Sequence, residues 1–145
     1  VSNQTSHELL RQDRLVVLAR EGHPVVKRGL DMDAYLAAKH VLVSSRTEGP
    51  GIEDFELSRR GVRRNIRLRC QHYYAACRVV ENSDLLLTMP ETYARIIAER
   101  SDIQVMSPPA QLPSLDVHLY WHKAYEGEPA LVWFRDLLRS LSGNQ

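Results

Sequence analysis

Cysteine is scarce in this chain: of 145 residues, only Cys70 and Cys77 carry thiols. They do not form a CxxC pair, so zinc and dithiol redox motifs have no support. Two ordinary thiols in a reducing compartment is the plain reading. No apolar run is long enough to cross a bilayer. The opening VSNQTSHELLRQD has no apolar core of the signal-peptide kind. These two absences set the expectation of a cytoplasmic protein with no membrane partner. Neither sign of charge dominates, the formal net charge being +1, so bulk electrostatics nominate no partner. Internal repeats and low-complexity segments are missing too. The first residue is Val rather than Met, and a fragment or processed product is expected.

Catalytic signatures are equally thin. GPG at 49–51 is too short for a phosphate loop. No Ser-His-Asp, Cys-His or paired-carboxylate spacing is diagnostic, since triads are recognised by geometry. His118 and His122 stand four apart on an expected strand and so share a face, but no third metal ligand is obvious nearby. No catalytic residue, metal or cofactor is therefore expected.

What is present is a rhythm of strands and helices. Leu15–Ala19 is an apolar run closed by Gly22-His23-Pro24, and predicts the first strand after a polar tail. Asp31 suits an N-cap for a short helix over 32–38. His40 to Ser44 predicts a second strand, and Ser45 to Gly51 a loop. A helix over 52–60 ends at Gly61. Ile66, Leu68 and Cys70 then alternate with arginines as a strand with one wet face. A helix over 73–81 follows, and then Leu85-Leu86-Leu87, a short apolar run suited to a strand covered on both faces. Pro90 and Glu91 favour the start of the next helix. A strand at Ile103–Met106 leads to the proline-rich stretch 107–114, which reads as a stiff crossover. Val117–Trp121 predicts another strand. The last helix has Ala130, Leu131, Phe134, Leu137, Leu138 and Leu141 on its inner face and Arg135 and Asp136 outside. Trp121, Trp133 and Phe134 read as core, and the tail 142–145 as frayed. Alternating strands and helices argue for an α/β sheet with helices on both faces.

Five stretches in uninterrupted order carry a resemblance. They are LVVLAREGHPVV at 15–26, DMDAYLAAKHVLVS at 31–44, GIEDFELSRRGVRRNIRL at 51–68, VVENSDLLLTMPETYARIIAE at 79–99 and LDVHLYWHKAYEGEPALVWFRDLLRSL at 115–141. Together they resemble the effector-binding domain of LysR-type transcriptional regulators over residues 9–141. The SDLLLTMP form looks most like the subgroup that answers aromatic signals such as salicylates, catechol-derived acids or flavonoids. The resemblance implies a two-lobed, periplasmic-binding-protein-like (type 2) α/β fold with Rossmann-like sheets. Residues 1–22 would end the first lobe and supply the crossing strand. Residues 23–106 would form the second lobe, and 107–145 the crossover and return to the first. The winged helix-turn-helix of the family is not among these residues. The implied function is that of a ligand-sensing regulatory domain, not an enzyme. A small acid co-inducer would bind between the lobes, bias a homodimer or homotetramer, and so change contact with promoter DNA through the absent domain.

Strand ends locate the expected site, because ligands of open α/β sheets sit beyond carboxyl ends. Ser44 and Ser45 follow one strand, His72, Tyr73 and Tyr74 follow another and open a helix, and Thr88 ends the central one. Free N–H groups at a helix start suit a carboxylate, and hydroxyls with an aromatic would orient an aromatic acid. In the family, matching strand ends line the cleft. Arg59, Arg60, Arg63, Arg64, Arg67 and Arg69 form the one basic cluster. Contact with phosphates is one reading; ahead of it stand a solvated edge and, from the resemblance, a dimer interface pairing with Glu53, Asp54 and Glu56 of a partner. Two other classes compete. A transporter's solute-binding protein shares the two-lobed architecture and would need an export signal. A small α/β enzyme would need paired titrating groups in one pocket.

Overall fold

A computed structural model describes residues 3–142. The expected frayed tail, apart from Ser142, lies outside the described residues. Contacts divide the chain into two compact units: Arg14–Pro113, and the residues on either side of it.

The larger unit holds β2 (Leu15–Arg20), α1 (Pro24–Arg28), α2 (Met32–Ala37), β3 (Lys39–Val43), α3 (Ile52–Arg59), β4 (Asn65–Cys70), α4 (Tyr73–Glu81), β5 (Leu85–Pro90), α5 (Glu91–Ala98) and β6 (Ile103–Met106). Its five strands form one sheet in the order β4-β3-β5-β2-β6. The strand β3 runs parallel to β4 and β5, while β2 is antiparallel to β5 and β6. The strand β2 lies within this sheet, between β5 and β6.

Alternation along each strand divides the core. Val16, Leu18, Val41, Leu87 and Met89 face one way, against Ala76, Cys77 and Val80 of α4 and Ala94 of α5. Their neighbours Val17, Ala19 and Leu86 face the other way, against Val25 of α1, Tyr35 of α2 and Leu57 of α3. That two-sided burial is why the strands read as unbroken apolar runs. Each fully buried leucine of the central strand contributes roughly 1.5–3 kcal/mol.

Local signals set the element ends. The Asp31 carboxylate accepts from the Ala34 N–H at 2.7 Å, capping α2. Gly61, with φ +72°, stops the chain just past α3. The short helix α1 was not expected from Gly22-His23-Pro24. It forms because the His23 ring accepts from the Val25 N–H at 3.1 Å while Pro24 supplies a preset first turn. At the start of α5, Glu91 pairs with Arg14 and Arg95. The Arg14 hydrogen bond, with help from Arg95, holds its carboxyl down at about 2.

The smaller unit pairs β1 (Thr5–Asp13) antiparallel with β7 (Leu115–His122), with an irregularity between Leu9 and Arg11. A helix, α6 (Pro129–Leu141), follows a short turn. The expected polar tail is therefore a strand: its partner lies at the far end of the chain, beyond the reach of local patterning. Two expectations for α6 are corrected. Arg135 is buried rather than outward. It donates to the Glu126 carbonyl at 2.7 Å and lies 4.6 Å from the Trp121 ring centre, a cation–π contact. Conversely Trp133 is 66% exposed, and Phe134, Leu137 and Leu141 are exposed with it. Trp121 is only half-buried.

Candidate functional site

Parallel pairing sends β3, β4 and β5 to one edge of the sheet, which gathers most of the expected residues there. Ser44 leaves β3 half-buried, its N–H donating to the Cys70 carbonyl at 2.9 Å. Its hydroxyl accepts from the Arg46 N–H at 3.1 Å, and Ser45 beside it is exposed. Across this junction β4 ends and His72 becomes the N-cap of α4. The His72 backbone is extended and its exposed imidazole makes no capping bond. The first-turn N–H groups of α4 thus have no side-chain acceptor, the arrangement that receives anions.

Tyr73 is half-buried and meets Tyr93 edge to face, with ring centres 6.1 Å apart. Burial, with the charge of Glu53, pushes its phenol above its ordinary pKa. Tyr74 points outward at 65% exposure. A shallow depression runs over Gln71, His72, Tyr73, Tyr74, Ala75 and Tyr93. Tyr93, absent from the expected set, is a member of this wall. Its spacing with Ile96 and Ile97 predicts the buried side of α5, whereas Tyr93 and Ile96 are exposed.

Thr88 is not part of that surface. It is buried on the other face of the sheet from Tyr73, its hydroxyl 2.8 Å from the Tyr35 hydroxyl and 3.4 Å from Arg64. Arg64 is the centre of this network, its side chain 0% exposed. It donates to Glu53 at 2.7 Å and to Asp54 at 2.7 and 3.1 Å, and reaches the Tyr35 hydroxyl at 3.3 Å. Burial alone would lower the guanidinium pKa; the carboxylates outweigh it and raise the value. Burial likewise raises the Tyr35 phenol, with Arg64 pulling partly the other way. His40 adjoins this group, its ring edge-on to Tyr35 and its Nε2–H donating to the Tyr35 carbonyl at 2.7 Å.

The basic cluster therefore does not act as one unit. Arg64 belongs to the core, and its carboxylate partners come from its own chain rather than a second copy. Arg59 and Arg60 lie near Glu56 of α3, again within the chain. A signal existed for Asp54: it stands three residues after Gly51, and its carboxylate accepts the Gly51 N–H at 2.7 Å, half of a capping box.

Among the described residues, no group of three His, Cys, Asp or Glu is placed to hold a metal. His122 instead caps a turn, accepting from the Ala124 N–H at 3.1 Å. No helix among them is long and apolar enough to cross a membrane.

A mixed sheet covered on both faces by helices makes the larger unit an α/β domain. Residues 2–142 match the LysR substrate binding domain, and the chain belongs to that family. It is 32% identical over 132 residues to the HTH-type transcriptional activator NahR of Pseudomonas putida, covering 91% of this chain and 44% of NahR. Against the HTH-type transcriptional activator NagR of a Ralstonia species it is 30% identical over 132 residues, with the same coverage of 91% and 44%. The chain thus spans less than half the length of these relatives. A probable transcriptional regulator from Pseudomonas aeruginosa superposes with a TM-score of 0.83 at 28% identity, over 97% of this chain and 45% of that one. The effector binding domain of QuiR in complex with shikimate superposes with a TM-score of 0.72 over 98% of this chain and 68% of that one. At 18% identity it shows the fold alone. The architecture is the α/β fold of LysR effector-binding domains, which in the family is two-lobed and periplasmic-binding-protein-like.

Proposed function

We propose that this chain is the effector-sensing part of a bacterial transcription factor and that its ligand is a small carboxylic acid, aromatic in character. The observation that carries the reading is the open start of α4 beside Ser44 and Ser45, at the edge where three parallel strands end. The N–H groups of α4 and the Ser44 hydroxyl receive the carboxylate. His72, Tyr73 and Tyr74 stack on or flank the ring. Thr88 holds the floor from beneath through Tyr35 and Arg64 rather than touching the ligand.

The family match and the helix-turn-helix activators among the relatives support the next step. Occupancy biases a homodimer or homotetramer in the cytoplasm, and so changes how a separate DNA-binding domain sits on a promoter. The larger unit serves as most of one lobe, and the flanking unit belongs to the other.

Ligand-induced thermal shift on the full-length regulator is the direct test, because a ligand that binds only the native state raises its stability. Benzoate and salicylate should raise the melting temperature in a concentration-dependent way, and Ser44→Ala and His72→Ala should each weaken the effect. The reading fails if no acid in an aromatic and aliphatic panel shifts the transition. It also fails if both variants respond as the parent does.

A further inference from the structure

A second concave surface of the larger unit lies between α4 and α5. On α4, Tyr74, Cys77, Arg78 and Glu81 recur at helical spacing; on α5 and just beyond it, Tyr93, Ile96, Ile97 and Arg100 do the same. These two stripes line a groove of about 340 Å³, within the usual range for small-molecule sites. Its floor is core: Cys77 and Ile103 are 1% and 7% exposed. Its lips are large and apolar yet uncovered, Tyr74, Tyr93 and Ile96 all being exposed. Uncovered side chains of this size gathered around a concavity mark a binding surface.

Few charges border the groove. Arg78 is neutralised by Glu81 within α4. Glu81 also accepts the Asp102 N–H at 3.2 Å, which ties that wall down. Arg100 borders the same groove and, among the described residues, has no carboxylate partner. A groove with tyrosine and isoleucine lips and an exposed guanidinium at its rim is complementary to an aromatic body carrying one anionic group. The groove shares Tyr74 and Tyr93 with the depression at the start of α4, so an occupant here would touch a wall of the strand-edge site.

We infer that the α4–α5 groove is a second small-molecule site, taking an amphipathic aromatic anion between Tyr74, Tyr93 and Ile96 with its charge on Arg100. The groove shares Tyr74 and Tyr93 with the strand-edge depression but includes neither Ser44 nor His72, so it stands whether or not the strand-edge site binds an acid.

The probe is 2-naphthoate, with 2-naphthalenemethanol as its neutral counterpart, titrated into the 145-residue chain carrying labelled isoleucine methyls. Naphthoate should move the Ile96 and Ile103 signals. Ile96→Glu should abolish the titration seen at Ile103. Arg100→Gln should weaken naphthoate about tenfold, the loss of one charge-assisted hydrogen bond, and leave the alcohol unchanged. Ser44→Ala should change none of these, which separates this site from the strand-edge one. The inference is overturned if naphthoate leaves both methyls in place, or if acid and alcohol bind alike and Arg100→Gln affects neither. It is also overturned if Ile96→Glu converts a dimer to a monomer in sedimentation, because the groove would then be an interface between copies.

Discussion

Arg64 sits where a charge has no access to water, held by two carboxylates and two hydroxyls. A buried pair is poor evidence of net stabilisation, but breaking one from a single side leaves an uncompensated charge. Arg64→Met should therefore destabilise the chain by about 3–5 kcal/mol, read as a lower urea midpoint at unchanged slope. A cost near zero would mean that Glu53 and Asp54 reach solvent on their own. His40 titrates in the same region. In an unfolded chain a histidine has a pKa of about 6.5, whereas burial holds His40 down at about 4. Between these values the unfolded chain binds the proton and the folded one does not. Stability is thus complete above about pH 6.5 and falls as pH drops toward 4, by up to about 1.4 kcal/mol per pH unit. Urea titrations between about pH 7 and pH 4.5 should show this slope, and His40→Gln should flatten it. An equal slope in that variant would assign the proton elsewhere. Apart from the Gly51–Asp54 cap, none of this was legible in the residues. Arg64 looks like its five neighbours in the cluster, four of them exposed and Arg69 half-buried, until the fold brings Glu53, Asp54, Tyr35 and Thr88 around it.

Among the elements, β2, β3 and β5 were legible because both of their faces are buried, which leaves unbroken apolar runs of strand length. The caps at Asp31 and Gly61 were legible for the same kind of reason: each satisfies or ends its helix locally. The strand β1 was not, since TSHELLRQD is polar and its ladder is made with β7. The helix α6 shows the opposite failure. Its apolar stripe is wide, but within the described residues Leu131 and Leu138 are half-buried with buried Arg135 between them. Val132, Trp133, Phe134, Leu137 and Leu141 form an exposed apolar face, of the kind that drives association. Sedimentation of the 145-residue chain should show self-association that Trp133→Gln with Leu141→Gln reduces, with stability changed by no more than about 0.5 kcal/mol per site. Identical sedimentation of parent and double variant would remove this face as the cause.

For the molecule as a whole, the sequence by itself determined the α/β class, the order of most elements and the family. These rest on local periodicity, caps and an ordered set of short stretches, all written along the chain. It also marked Ser44, Ser45, His72, Tyr73 and Tyr74 as strand-end residues, because a strand followed by a helix is a local pattern. Tertiary structure alone decided the rest. Strand order and direction brought β3 and β4 side by side, so that Ser44 meets Cys70 beside the start of α4. The sheet's two faces separated Thr88 from Tyr73, since the pleat of β5 turns Thr88 toward α2 and α3 while Tyr73 packs on the α4 side. Setting α4 and α5 on the same face of the sheet formed the groove and placed Arg100 at its rim, without a carboxylate partner among the described residues. Such relations depend on residues far apart in sequence, and they come into being only when long-range pairing fixes the sheet.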